Sequence, residues 1–299
     1  MTDQVSGPML AGNPRRTVRV VLTFGALLLF LLLAIGGLFT PVGQALDQIV
    51  LDVAMGGSTR VGWVSDVLTQ SITATTIAVA AAVIMLIAAI RARFALAMRV
   101  GVMILGANIM AQLFKTYLIH RPYMGVGFDL PNSFPSGHAT VLMSLALGLV
   151  IVLPRKIRSI AALVLSLAVS AALVSVVMLG WHRPSDVVGG ILIAFMWAMA
   201  LAPQEEPSPV KDTVNTAAIT VSMIVILAVG LAFAVGGQQR GRIAQVVAQV
   251  EQGVPVDMMT DGAGTIALIF TIGVCAVLVA LAVLAVNLVV YLQTGRASK

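Results

Sequence analysis

The run from Asn132 to His138 combines a Pro-Ser-Gly turn with a histidine just before an apolar stretch. A turn that leads into a helix exposes consecutive backbone N–H groups at the positive end of the helix dipole, which suits an anion such as phosphate. His138 adds a titratable group at the same point. Taken alone, the run could also be an ordinary loop with a capping serine. Its meaning therefore depends on where the other histidines lie.

The composition restricts the chain to one class of protein. Of its 299 residues, 59% are hydrophobic and only 10% are charged. A soluble domain carries about 25% charged residues. Because so few charges cannot cover a water-facing surface, we expect an all-α, polytopic membrane protein. The basic residues are spread over short loops, so the net charge of +6 does not indicate a nucleic-acid partner.

Several cofactor and metal chemistries lack their usual sequence signals. The single cysteine, Cys275, lies in an apolar run, so it cannot form an intramolecular disulfide or join a second thiolate at a metal. The sequence contains no dinucleotide-binding glycine pattern, no Walker loop and no zinc-ligand spacing. We therefore expect neither a cofactor nor a metal site.

Apolar runs predict about eight transmembrane helices. They lie at about residues 20–40, 71–90, 100–114, 138–153, 160–180, 186–203, 216–235 and 264–291. Two shorter segments, 46–53 and 243–250, carry apolar residues at i, i+3, i+4 and i+7, which predicts helices lying on the membrane interface. The expected divisions are an N-terminal tail (1–18), a six-helix core (19–203), a linker (204–215) and two additional spans with their connecting loop (216–299).

The distribution of basic residues gives the orientation of these spans. Arg15, Arg16 and Arg19 stand at the start of the first span, which places the N-terminus in the cytoplasm. Eight spans then return the C-terminus to the same side. Of the 18 basic residues, those that fall outside in this topology are at positions 60, 115, 121, 183, 240 and 242. The predicted location is the cell membrane, with both termini cytoplasmic.

The outer ends of the predicted spans collect the residues most suited to chemistry. On this side lie the chain's three histidines and three charged residues: His120, His138, His182, Lys115, Arg121 and Asp186. Structural histidines scattered through a bundle would not be expected to converge on one face of one membrane. The convergence therefore favours an extracytoplasmic site over an ordinary capped loop.

The order and spacing of these residues resemble a known three-part signature. The first motif reads Lys115…Arg121-Pro122, the second Pro135-Ser136-Gly137-His138, and the third ends His182-Arg183-Pro184-Ser185-Asp186. This resembles the signature of the type 2 phosphatidic acid phosphatase family, integral membrane lipid phosphatases with a site related to that of vanadium haloperoxidases. The resemblance covers roughly residues 70–202, so the last two spans lie outside it.

The resemblance implies roles for three catalytic residues. His182 would attack phosphorus to form a phosphohistidine, and Asp186 would accept the N–H of the other ring nitrogen. His138 would protonate the leaving alkoxide and then activate water as a general base. In isolation, a His–Asp pair could equally be a buried structural hydrogen bond or part of a metal site.

The resemblance also implies phosphate-binding groups, namely the side chains of Lys115 and Arg121 and the backbone N–H groups of Ser136 and Gly137. The family separates the lysine from the arginine by six residues, whereas this chain has five. Arg121 stands six positions after Lys115. On a continuous helix an offset of six positions would turn Arg121 about 120° away from Lys115. Pro122, however, biases Arg121 towards extended geometry, so the chain can leave the helix there.

A second departure concerns a phosphate-binding arginine. The family's third motif begins Ser-Arg, whereas this chain reads Ser175-Val176 at that place. Arg183 and His120 are the candidates to supply the missing charge.

The predicted function is hydrolysis of a lipid phosphate monoester or pyrophosphate, with a phosphatidate-like lipid or a polyprenyl phosphate or diphosphate as substrate. The lipid phosphate and the bilayer are the expected partners. A lipid-phosphate binder or transporter with a degenerate site stays open, and Val176 favours it. A phosphotransferase with an acceptor other than water also stays open. Retention of His138, His182 and Asp186 argues against a binder, because binding needs cations rather than a nucleophile with an orienting acid.

Overall fold

The computed structural model describes residues 14–56, 73–126, 131–206, 212–235, 237–255, 258–259 and 262–294. Every long regular element within them is helical, which confirms the predicted all-α class. The α-helices are α1 (Pro14–Leu33), α2 (Pro41–Met55), α3 (Ala74–Ile90), α4 (Phe94–Leu113), α5 (Gly137–Val152), α6 (Arg155–Met178), α7 (Pro184–Leu201), α8 (Thr213–Val235), α9 (Gly237–Glu251) and α10 (Ala263–Thr294). Helices α1 and α4 each continue into a π-helical turn, Ala34–Leu38 and Phe114–Leu118.

All eight apolar runs predicted as spans form helices. In the described part of the chain, six are long and apolar enough to cross a membrane: Pro14–Leu38, Phe94–Leu118, Arg155–Met178, Pro184–Leu201, Thr213–Ala234 and Ala263–Thr294. Helices α3 and α5 are apolar but shorter, at 17 and 16 residues. These helices make the chain a polytopic helical membrane protein.

Helix α7 lies at the centre of the bundle. Within its apolar stretch 78% of the residues are buried, against 11–39% in the other candidate spans. Two glycines explain how closely the segment entering α5 approaches it. A Cβ atom on Gly190 would lie 2.7 Å from both the Ser136 carbonyl oxygen and Ala139 Cβ. A Cβ atom on Gly189 would lie 2.7 Å from the ring of Phe134. The absence of these side chains brings the first turns of α5 and α7 together.

A tight corner turns the chain from α1 into α2. Thr40 caps α2 by accepting the Gly43 N–H at 3.0 Å, and Pro41 begins the helix. A Cβ atom on Gly43 would lie 1.9 Å from the Gly36 carbonyl oxygen, so only glycine fits there. This corner lays α2 against α6, α7 and α10.

The two predicted interfacial helices are present as α2 and α9, but their apolar faces contact protein. Ile49 of α2 is buried with Val247 and Val250 of α9 and with Ala267 of α10. The apolar periodicity thus predicted the helices correctly. The sequence predicted contact with the membrane interface for these faces; in the structure they pack on one another and on the start of α10.

At the end of the bundle away from the histidines, Glu205 joins several helices. Its carboxylate lies 2.7 Å from Arg155 Nε, 3.0 Å from Arg158 Nη1 and 3.2 Å from Arg93 Nη2. Its backbone N–H donates to the Gln293 carbonyl oxygen at 2.8 Å. Residues 204–206 of the predicted linker are therefore packed against α4, α6 and α10, while residues 207–211 lie outside the described residues.

Candidate active site

The end of α4 and the starts of α5 and α7 meet at one end of the bundle. His138 lies in the first turn of α5, and His182 lies just before Pro184, which begins α7. His138 Nδ1 and His182 Nε2 are 3.0 Å apart. The fold therefore places two of the three predicted site histidines in direct contact.

Asp186 is fully buried beside His182. Its Oδ2 atom lies 3.8 Å from His182 Nδ1. The same oxygen accepts hydrogen bonds from Ser133 Oγ at 2.5 Å and from the Arg183 N–H at 2.9 Å. These bonds hold the carboxylate in one position, as a buried charge requires. Nδ1 of His182 consequently faces the acid, while Nε2 faces His138.

Ser136 fixes the start of α5 and joins it to α7. Its Oγ accepts the Ala139 N–H at 3.2 Å, as an N-cap residue does. Its own N–H donates to the Asp186 carbonyl oxygen at 2.8 Å. The Ser136 N–H, predicted to bind phosphate, is thus engaged within the protein. The Gly137 N–H belongs to the first helical turn, where no intrahelical acceptor exists, so it fits the predicted role better.

Two arginines are buried close to the histidine pair. The Arg121 side chain is 7% exposed, and its Nη1 lies 4.0 Å from Asp47 Oδ2, too far for a hydrogen bond. Arg183 is buried, and within the described chain its Nε has no hydrogen-bond partner. Burial and the nearby charge of Arg183 lower the pKa of Arg121. Because buried donors without partners are costly, these two cations indicate a site for an anion.

Lys115 and His120 lie on the segment that leaves α4. The helix ends in the π-helical turn, and Ile119 is extended at φ −119° and ψ 120°, so the chain leaves the helix before Arg121, as predicted. Lys115 is half-buried and close enough to His138 for their charges to interact. His120 is exposed, and among the described residues no hydrogen bond joins it to the other predicted site residues.

Val176, which stands where the family has an arginine, is fully buried in the apolar core. Its carbonyl oxygen accepts the N–H groups of Trp181 at 3.1 Å and His182 at 3.4 Å. Position 176 therefore supports His182 through the main chain, and its side chain supplies no charge. The Trp181 ring lies against His138, with centroids 5.3 Å apart, so it walls the site.

Asn132 connects the first motif to the second. Its Nδ2 donates to the carbonyl oxygens of Lys115 at 3.0 Å and Ile119 at 2.7 Å. Its Oδ1 accepts the Phe134 N–H at 3.1 Å. The sequence singled out the run that contains Asn132 and Ser133 but gave neither side chain a role, since their partners are distant in sequence.

Asp47 of α2 is a site residue that sequence reasoning missed. It accepts hydrogen bonds from the Ser185 N–H at 3.1 Å and from the Ser185 hydroxyl. Burial, and then the negative charge of Asp186, raise the pKa of Asp47 to about 6. The available signal was a second periodicity in α2, because Gln44, Asp47 and Gln48 are buried polar residues at helical spacing.

Comparison with known proteins gives one match. Residues 96–208 match the family model described as PAP2 superfamily. No curated protein and no solved structure matches the chain. The matched stretch contains all three motifs and helices α5, α6 and α7. Residues 96–208 are therefore similar to the PAP2 superfamily, which confirms the resemblance of this stretch to the type 2 phosphatidic acid phosphatase family.

Proposed function

We propose that the protein is a lipid phosphatase that hydrolyses a phosphate monoester or pyrophosphate of a lipid through a phosphohistidine on His182. The observation that carries this proposal is the contact series from His138 to His182 to Asp186, with distances of 3.0 Å and 3.8 Å. A binding protein would need the arginines but would gain nothing from a nucleophile flanked by an acid and a second histidine.

The first chemical step follows from the orientation of His182. Nδ1 faces Asp186 at 3.8 Å, beyond hydrogen-bond distance, and a small rotation of the ring would let its N–H donate to the carboxylate. That tautomer leaves the Nε2 lone pair for the attack. As the N–P bond forms, the P–O bond to the lipid breaks, and protonated His138 gives its proton to the leaving oxygen. Asp186 then stabilises the positive charge of the phosphorylated ring.

The second step uses the same groups in reverse order. Neutral His138 accepts a proton from water, the water oxygen attacks phosphorus, and the N–P bond breaks to release inorganic phosphate. Reacting atoms approach one another at about 3–3.5 Å before bond formation, so a phosphoryl group cannot fit between rings already in contact. Substrate binding therefore requires the 3.0 Å contact between His138 and His182 to open.

The phosphoryl oxygens would be held by cations and backbone donors around the two histidines. Arg121 and Arg183 are buried there, and the charge of Lys115 reaches His138. The family has an arginine at the position of Val176. In this chain Arg183 supplies that positive charge instead. Such preorganised charges stabilise the transition state more than the ground state.

The position of the site at the end of apolar helices fits a lipid substrate. Tyr117 and Leu118, where α4 ends beside the site, are 70% and 65% exposed. A lipid could enter from the side, with its phosphate at the histidines and its chain along this apolar surface. With the N- and C-termini in the cytoplasm, the site lies on the extracytoplasmic face of the cell membrane. Phosphatidate-like lipids and polyprenyl phosphates or diphosphates are the substrates to assay.

The test is release of inorganic phosphate by detergent-purified protein from a panel of these lipids, with EDTA present. We expect release that tolerates EDTA and disappears in His182→Ala. Binding without release from any lipid would contradict the proposal in favour of a lipid-phosphate binder. Transfer of phosphate to an added alcohol in preference to water would identify a phosphotransferase that uses the same residues.

A further inference from the structure

Asp47 is a buried carboxylate in the site, yet it belongs to α2, outside the matched residues 96–208. Its two oxygens accept the backbone N–H and the hydroxyl of Ser185. Ser185 lies in the first turn of α7, directly before Asp186. Asp47 therefore holds the turn that carries the acid of the His182 pair.

Asp47 also faces a cation of the site. Its Oδ2 lies 4.0 Å from Arg121 Nη1, and within the described residues that nitrogen has no hydrogen-bond partner. Both side chains are less than 10% exposed, so water screens their attraction little. Helix α2 is tied to the same segment by Gln44, whose Nε2 donates to the Pro122 carbonyl oxygen at 2.7 Å.

We propose that Asp47 is a positioning residue for phosphate hydrolysis, which fixes the direction of the Arg121 guanidinium and the first turn of α7 together. This inference rests on the proposed function. An acid that served only the fold would be satisfied by Ser185 and would need no arginine. The negative charge of Asp47 beside that arginine also prevents the site from binding phosphate too tightly in the ground state.

The two effects predict a distinctive change in kinetics. Asp47→Asn keeps the shape of the side chain but removes its charge, so Arg121 loses its orientation while the site becomes more positive. We expect kcat to fall by about 10- to 100-fold, since loss of an oriented oxyanion donor has effects of this size. KM for the lipid phosphate should stay the same or fall. A purely structural role would instead lower the folded fraction and leave the kinetics of the folded enzyme unchanged.

Asp52→Asn provides the matched control, because Asp52 lies on the same helix and bonds to Gln48 at 2.6 Å. It should keep kcat and KM within about twofold, because the bond that Asp52 accepts from Gln48 stays within α2 and does not reach Ser185 or Arg121. Asp47→Glu retains the charge one methylene further out and should recover part of the kcat lost in Asp47→Asn. It also serves as the second variant if Asp47→Asn does not fold.

The decisive experiment is a double-mutant cycle with Arg121→Ala. If Asp47 acts through Arg121, adding Asp47→Asn to Arg121→Ala should lower kcat/KM by less than about threefold further. If the two effects multiply instead, Asp47 does not act through Arg121 and that part of the positioning role is refuted, while the phosphatase proposal stands.

The same cycle separates the two proposals if no lipid phosphate is hydrolysed. The affinity of the detergent-purified variants for inorganic phosphate then replaces kcat/KM, and coupled changes in affinity would keep the Asp47 inference although the phosphatase proposal had failed. Independent changes, or no phosphate binding by the wild type, would overturn the inference as well.

Discussion

Gly190 is the point at which a small change should disturb the site most. An added Cβ atom would lie 2.7 Å from the Ser136 carbonyl oxygen and from Ala139 Cβ, whereas ordinary contacts begin at 3.4 Å. Gly190→Ala therefore requires α5 and α7 to separate by about 0.7 Å, the difference between these two distances. Because these helices carry His138 and Asp186, the separation changes the geometry of the catalytic groups directly.

The expected effects are a loss of stability and a larger loss of turnover. Overpacking of this kind costs about 1–3 kcal/mol. A misplacement of about 1 Å can lower a rate about 100-fold, so we expect kcat to fall at least about tenfold in Gly190→Ala. Gly25→Ala is the matched control, because a Cβ atom at Gly25 would meet nothing within 4 Å. The assays are thermal unfolding in detergent and initial rates of phosphate release.

Normal kcat and an unchanged Tm in Gly190→Ala would refute the close approach of α5 and α7. An equal effect of Gly25→Ala would show that helical glycines matter for some other reason, such as flexibility of the spans.

Three further predictions follow from contacts of named side chains. Ser133→Ala removes a 2.5 Å hydrogen bond to buried Asp186, and such charged bonds contribute about 1.5–3 kcal/mol, so kcat should fall about 10- to 100-fold with little change in KM. Lys115→Ala should abolish measurable turnover if Lys115 contacts phosphate, and normal activity would refute that assignment. Glu205→Gln should lower Tm, because it leaves buried Arg158 without its charged partner. Although burial alone would raise the pKa of Glu205, hydrogen bonds and charge from Arg158 and Arg155 lower it to about 2. A lowered pKa contributes stability above the unfolded-state value near 4.5 that is lost as pH falls towards about 2, so Tm should drop over this range in the wild type and less in Glu205→Gln.

The helices could be predicted because their signal is local. Each apolar run is a property of consecutive residues, and the apolar periodicities of α2 and α9 predicted helices in the right places. What these two faces contact was not predictable, because it depends on where α10 begins in space. The tight corner at Gly43 was also missed, since the clash it avoids is with Gly36 on another helix.

The candidate site could be predicted where its residues belong to a recognisable order. His138, His182 and Asp186 were selected from the sequence, and the structure places His182 3.0 Å from His138 and 3.8 Å from Asp186. Asp47 and Ser133 were missed because each contacts a residue more than 50 positions away in the sequence. No local sequence pattern indicates such a contact. For Ser136 a predicted role does not fit the structure. The sequence predicted that its N–H would bind phosphate, whereas this N–H donates to the Asp186 carbonyl oxygen.

The most direct test of the central claim is to trap the phosphoryl group on the enzyme. Protein mixed with a lipid phosphate labelled with radioactive phosphorus is quenched rapidly in alkali, and the label is mapped by proteolysis. The account predicts an alkali-stable, acid-labile label on His182, absent in His182→Ala. A label on another residue, or steady phosphate release with no labelled protein at any time, would contradict it.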